Sequence, residues 1–290
     1  MRFLVLGSSG MAGHVIARYL QEQGHDVTGF SRRPTQFSPG LIGDACDRGF
    51  LEAVLREGHF DIVVNAIGIL NADAERNEKL AAYVNGKLPH VLAEATEGMP
   101  TRVIHMSTDC VFAGNTGPYS ESSVPDGLTV YDRTKAEGEL NDGKNLTLRN
   151  SIVGPDVNPT GIGLFNWFMG QKGSVKGYKG AMWTGMTTIE LARAIEHAAR
   201  EGDTGLVNMV PEGNISKYDL LNLFNRAFRA GRVEVVADDS VALDKTLVRT
   251  NFSSSFRPKP YSEQIDDMAA WVRSHAEMYP HYDLKELLSE

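Results

Sequence analysis

Arg2 to Gly13, RFLVLGSSGMAG, decides the fold. Arg2 to Leu6 is a short run of strand-formers that begins almost at the first residue. Gly7, Gly10 and Gly13 follow at GxxGxxG spacing, and Val15, Ile16, Tyr19 and Leu20 then recur at a helical period. Glycines at a strand-to-helix turn permit a tight reversal and a close backbone approach, and a helix N-terminus favours an anion. The stretch therefore reads as the pyrophosphate loop of a dinucleotide site, with Gly7, Ser9, Gly10, Met11 and Gly13 as candidate contacts.

Outward from this loop the pattern alternates. Asp26 to Phe30 reads as a second strand, Phe50 to Glu57 as a helix and Asp61 to Ile67 as a strand. A long helix follows from about Glu78 to Ala95, then a strand Arg102 to Ser107, a helix from near Thr129 and a strand Asn145 to Ile152. Strands separated by helices predict a parallel sheet covered on both faces, because parallel neighbours need crossover connections. From about Gly154 the pattern loosens. Helical pieces near Gly163 to Met169, Thr188 to Arg200, Lys217 to Phe228 and Glu263 to His275 are interleaved with short strands near Ser174 to Gly177, Leu206 to Val210 and Val233 to Val236. Asp238-Asp239 reads as a solvated loop. The expectation is an α/β chain: a Rossmann-type doubly wound parallel sheet over residues 1–153 that carries the catalytic residues. Residues 154–290 would form mainly a smaller C-terminal substrate-binding lobe, with some segments returning to the sheet. A ligand belongs in the crevice at the strand carboxyl ends.

The second strand leads into Arg32 and Arg33, where a site for NAD commonly has an acidic residue. A guanidinium suits a ribose 2′-phosphate, so NADPH is the expected cofactor, with NADH as the alternative. Asp44 and Ala45 could lie near the adenine, although an aspartate there is more often a helix N-cap. The small residues of Asn65-Ala66-Ile67-Gly68 suit a backbone that touches the cofactor.

Ser107, Thr108 and Asp109 break the strand Arg102 to Met106. Tyr131 and Lys135, in YDRTK, stand at i and i+4 on one helical face. An ammonium near a phenol favours the phenolate, and moving a tyrosine from a pKa of ~10 toward ~7 is worth roughly 4 kcal/mol. Tyr131 is thereby expected as a general acid at neutral pH.

In this order the glycine loop, the NAIG segment, the hydroxyl at a strand end and YxxxK resemble the extended short-chain dehydrogenase/reductases. STDCVF at 107–112, GPYSE at 117–121 and YDRTK at 131–135 are similar to the dTDP-4-dehydrorhamnose reductase branch. That resemblance implies reduction of the 4-keto group of a nucleotide-linked deoxysugar, with Thr108, Tyr131 and Lys135 as catalytic residues. Thr108 would bond the substrate oxygen, with Ser107 as the second candidate, and Tyr131 would protonate it. Lys135 would hold the nicotinamide ribose. Candidate substrate contacts are Asp109, Asn150, Ser151, Lys176 and Trp183. Cys110 stands where related dehydratases have a glutamate base, so elimination is disfavoured. Cys110 and Asp132 also replace the tyrosine and glycine usual in the branch, so the sugar could equally be a UDP-linked N-acetylated 4-ketosugar. A nucleotide-sugar epimerase and a non-catalytic NADP-binding regulatory subunit are the alternatives. The family often forms homodimers, here through Glu78 to Ala95 and Thr129 to Leu140.

Composition narrows the classes. The 290 residues are 42% hydrophobic and 23% charged, with a net charge of −8. No Lys/Arg stripe marks a nucleic-acid partner. No apolar run approaches the roughly 18 residues of a membrane span. Cys46 and Cys110, the two cysteines, have no metal-ligand spacing, so no metal is expected, and they suit a reducing compartment. A cytoplasmic location is the default expectation.

Overall fold

Successive apolar side chains of the first strand face opposite layers, and both layers are filled. A computed structural model of the chain describes residues 1–34 and 40–285. In it β1 (Arg2–Leu6) points Phe3 and Val5 into one cluster and Leu4 and Leu6 into another. A strand apolar on both faces is the mark of a sheet buried between helices.

The chain continues through α1 (Met11–Glu22), β2 (Asp26–Ser31), β3 (Gly40–Ile42), α2 (Arg48–Gly58) and β4 (Ile62–Asn65). Then come α3 (Asn71–Arg76), α4 (Glu78–Ala81), a π-helical turn Ala82–Lys87, α5 (Leu88–Ala95), β5 (Arg102–Met106) and a 3₁₀ turn Asp109–Val111. The helix α6 (Val130–Glu137) precedes β6 (Leu146–Arg149) and β7 (Ser151–Val153). Beyond lie α7 (Leu164–Met169), β8 (Ser174–Trp183), β9 (Gly185–Thr187), α8 (Thr188–Glu201), β10 (Gly205–Asn208) and β11 (Ile215–Ser216). The last elements are α9 (Lys217–Arg229), β12 (Glu234–Asp244) and α10 (Tyr261–Ser274).

Among the described residues, seven strands form one sheet in the order β10-β6-β5-β4-β1-β2-β3, every pair parallel. This is the Rossmann-type doubly wound arrangement. Apolar residues of α1 and α8 cover one face, and α2 and α5 cover the other. The third large cluster, with Phe165, Phe168, Phe224, Phe228 and Trp271, lies among α7, α9 and α10 beside a small sheet ordered β11-β8-β12.

Three details differ from the sequence reading. The expected strand Asn145 to Ile152 divides: β6 stays in the large sheet, while β7 pairs with β9. Gly185 permits that pairing, because a Cβ there would sit 2.4 Å from the Ser151 carbonyl oxygen. The short strands expected at Ser174 to Gly177 and Val233 to Val236 run on to Trp183 and Asp244. Inside β8, Gly177 makes room for Tyr218 and Gly180 for the Val241 carbonyl. The expected loop at Asp238-Asp239 lies inside β12, where Asp238 pairs with Lys176 on β8 at 2.8 Å.

Candidate active site

The glycine loop is built as its spacing implies. Gly7 has φ +81°, and its N–H and that of Ser8 both donate to the Phe30 carbonyl on β2. A Cβ on Gly13 would lie 2.1 Å from the Gly7 carbonyl oxygen, so only glycine lets the helix start this close to the strand. Gly10 is the N-cap of α1, and the first turn has neither a side-chain cap nor an acidic residue. Its leading N–H groups and partial positive charge are thus presented to an anion. Ser9 is exposed, and the half-exposed Met11 has its sulfur against Gly163.

Arg32 and Arg33 follow β2 directly and are exposed. Among the described residues neither guanidinium has a carboxylate partner. Arg32 is close enough to Cys46 to oppose the rise that burial and Asp44 impose on the thiol pKa. The α2 cap is Asp47, which accepts from Phe50 N; Asp44 instead accepts from Cys46 N at 2.9 Å. Ala45 is buried next to it. Ala66 N bonds the Leu6 carbonyl, and a Cβ on Gly7 would lie 3.0 Å from the Ala66 oxygen. That brings the Asn65–Gly68 segment alongside the glycine loop. These unpartnered amides and guanidiniums fit a dinucleotide with an extra phosphate.

Thr108, Tyr131 and Lys135 come together at the carboxyl end of β5, and all three are buried. Thr108 Oγ1 donates to Asp109 Oδ1 at 3.1 Å and accepts from Cys110 N at 3.1 Å, and it lies close enough to the Tyr131 phenol to pull the phenol pKa down. A capping box between Thr129 and Asp132 starts α6, and Glu75 of α3 accepts from Val130 N at 2.7 Å. Asp132 therefore has a structural duty at the position where the resembling branch has glycine.

One electrostatic expectation is overturned. The Tyr131 pKa is raised, not lowered: burial dominates, Cys110 and Asp109 add to it, and the Thr108 bond opposes it. Lys135 directs its Nζ into the protein, donating to the Met106 carbonyl at 2.5 Å with His105 Nε2 at 3.4 Å. Burial lowers the Lys135 pKa to about 8, against a pull upward from Glu139. Glu139 is itself held by Arg149 (Nε to Oε1, 2.8 Å) and by Ser107 Oγ at 2.6 Å.

The C-terminal half closes over Asp109. Burial raises the Asp109 pKa, opposed by Lys217 and Lys245, two cations that the sequence analysis did not single out. Lys217 opens α9 and sets its ammonium 5.1 Å from the centre of the Trp183 ring. Burial pushes the Cys110 pKa up to about 12, so at neutral pH the group stays a thiol and offers no thiolate to take a proton. Asn150 is buried with both amide atoms unpartnered among the described residues, as is Trp183 Nε1. Ser151 is half-exposed. Lys176 stands apart: it is exposed, paired with Asp238, and roughly 23 Å of extended strand from Trp183 at ~3.3 Å per residue. The GPYSE segment acts as a clasp. Glu121 accepts from Asn208 N and Thr250 N, and Tyr119 stacks on Phe112 with ring centres 4.1 Å apart.

Comparison with known proteins agrees with this geometry. The family described as RmlD substrate binding domain matches residues 1–152. A probable low-salt glycan biosynthesis reductase from Haloferax volcanii is 37% identical over 143 residues, covering 48% of each protein. The chain thus spans about half the length of that relative. A dTDP-4-keto-6-deoxy-D-glucose reductase from Streptomyces niveus is 28% identical over 83% of this chain and 84% of its own. Among solved structures, dTDP-4-dehydrorhamnose reductase from Bacillus anthracis in complex with NADP superposes with a TM-score of 0.78. That match is 17% identical and covers 93% of this chain and 99% of that one.

Proposed function

Because the chain belongs to the RmlD substrate binding domain family, we propose that it is an NADPH-dependent reductase of a nucleotide-linked 4-ketosugar. The observation that carries this reading is the hydroxyl pair of Thr108 and Tyr131, set beside Lys135 at the strand end next to the glycine loop. The relatives named as reductases support it.

When bound, the nicotinamide supplies a hydride to the carbonyl carbon. Gly7, Ser9, Gly10, Met11 and Gly13 would hold the pyrophosphate, and Arg32 and Arg33 the 2′-phosphate. Asp44 and Ala45 would lie by the adenine, Asn65 to Gly68 along the backbone of the cofactor, and Tyr131 and Lys135 at the nicotinamide ribose. Tyr131 gives its proton to the carbonyl oxygen, which Thr108 orients. A raised phenol pKa keeps that proton in place at neutral pH, the form that reduction needs. Asn150, Ser151 and Trp183 would meet the sugar. Lys217 and Lys245 bring positive charge for the diphosphate. The half-buried Cys110 thiol gives no base for elimination.

A dTDP-linked 6-deoxy-4-ketosugar and a UDP-linked N-acetylated 4-ketosugar both match these features. A panel of the two classes, followed by NADPH absorbance, tests the proposal. Turnover with either sustains it. Dinucleotide binding without oxidation across the panel points to a regulatory subunit, and interconversion of sugars without net oxidation points to an epimerase.

A further inference from the structure

The buried contacts behind Lys135 fix more than its position. Asn65 Oδ1 accepts the Ile67 N–H at 3.3 Å, which orients the amide. Turned over, its NH2 group would oppose another donor. The amide nitrogen therefore faces His105 Nδ1, at 3.2 Å, and can only donate to it. A histidine that accepts at Nδ1 carries its proton on Nε2. That Nε2–H points at Lys135 Nζ, 3.4 Å away. An ammonium offers no lone pair there and would oppose proton to proton, whereas a neutral amine accepts. The same amine can still donate to the Met106 carbonyl.

We propose that Asn65 and His105 form a tautomer lock that presents an N–H to Lys135 and so favours its neutral amine. His105 acts through Lys135 and is a positioning residue. The groups bearing on this site are few. Just past the end of the helix that carries Lys135, Glu139 draws the proton toward the lysine, but Arg149 and Ser107 already occupy its carboxylate. Tyr131, one turn earlier, stays a neutral phenol. From α5, His90 acts on His105 and donates from Nε2 to the Glu137 carbonyl, 2.8 Å away. His105 is kept uncharged by full burial and by Lys135. On the reductase reading above, the lock sets the pH above which Lys135 can no longer offer an ammonium to the nicotinamide ribose.

The test uses the full chain and needs no turnover. Nitrogen-15 spectra of histidine-labelled protein, with His105 assigned by its loss in His105→Gln, report which ring nitrogen holds the proton. Protonated Nε2 with bare Nδ1 is expected, and protonated Nδ1 overturns the lock. Lys135 is then titrated through its side-chain carbon and nitrogen shifts in wild type and His105→Gln. Glutamine can turn its carbonyl toward the ammonium, so the Lys135 midpoint should rise by about one pH unit. An unchanged midpoint overturns the proposal. Should His105→Gln not fold, His105→Asn supplies the assignment and the wild-type tautomer decides alone. Failure of the sugar panel leaves both readouts untouched, so the two readings fail separately.

Discussion

Asn85 Nδ2 donates to Thr134 Oγ1 at 3.1 Å, which fastens the π-helical turn to α6 between Tyr131 and Lys135. The same amide accepts from Ile69 N at 2.8 Å and donates to Ile69 O at 2.9 Å. One buried side chain thus sets both α6 and the loop beside the glycine turn. Asn85→Ala would strand three polar groups, and the expected loss is about 2–4 kcal/mol in denaturant unfolding. A loss within experimental error would show that the two elements are held by other contacts.

Tyr131→Phe removes the proposed proton donor and leaves the ring in its pocket. Turnover should fall by about 10²–10⁴, with NADPH affinity changed little. Absorbance kinetics paired with a fluorescence binding isotherm separate the two quantities. An unimpaired rate would remove Tyr131 from the chemistry.

Two pH effects are expected, at opposite ends of the range. Because burial lowers the Lys135 pKa to about 8, steps that need its ammonium should weaken as pH rises through about 8. The acid side belongs to His14, whose pKa burial lowers from 6.5 to about 4. Its ring bonds the Gly10 carbonyl through Nδ1 and Tyr279 through Nε2, both at 2.9 Å. Below pH 6.5 the unfolded chain binds a proton that the folded chain refuses. Stability should therefore fall by about 3 kcal/mol between pH 6.5 and about 4, then level off. Urea midpoints across that interval check it, and His14→Gln should flatten the slope.

Replacing both Arg32 and Arg33 with alanine should raise the NADPH Michaelis constant by about 10–100-fold, with NADH little affected. Equal loss for both cofactors would mean that the arginines do not read the 2′-phosphate.

Gly13→Ala places a methyl group 2.1 Å from the Gly7 carbonyl oxygen. The neighbour is backbone and cannot turn aside, so α1 must back away from β1. The variant should lose dinucleotide binding and about 3 kcal/mol or more of stability. Binding at wild-type strength would mean that the helix start is softer than the packing implies.

The sheet was readable because its signals are local. Phe3 to Leu6, the spacing of Gly7, Gly10 and Gly13, and the period of α1 all lie within one short stretch. Tyr131 and Lys135 were readable for the same reason, being one helical turn apart. The partners of those residues were not. Lys217 and Lys245 approach Asp109 only after the chain has passed through the large sheet again, and no spacing links them to residue 109. His105 looked like any strand residue, since its contacts to Asn65 and Lys135 depend on strand order. The acidity of Tyr131 was misjudged because i, i+4 spacing fixes a shared face but not where a long side chain ends. Lys135 turns inward to Met106. The full length of β8 was not readable either, because its glycines serve the close approach of neighbours that only the fold brings there.

The large sheet does not end with the part of the chain that begins it. Its outer strand β10 comes from residues 205–208 and pairs with β6, while Leu191, Ala194 and Ile195 of α8 lie against Phe3 and Val5. A gene fragment stopping at Val153 would expose a bare row of amides along β6 and an uncovered greasy flank, the setting for edge-to-edge aggregation. The N-terminal part of the sheet is thus no portable cassette: recombination that moves it must carry β10 and α8 over with the rest, or else replace only the loops between them.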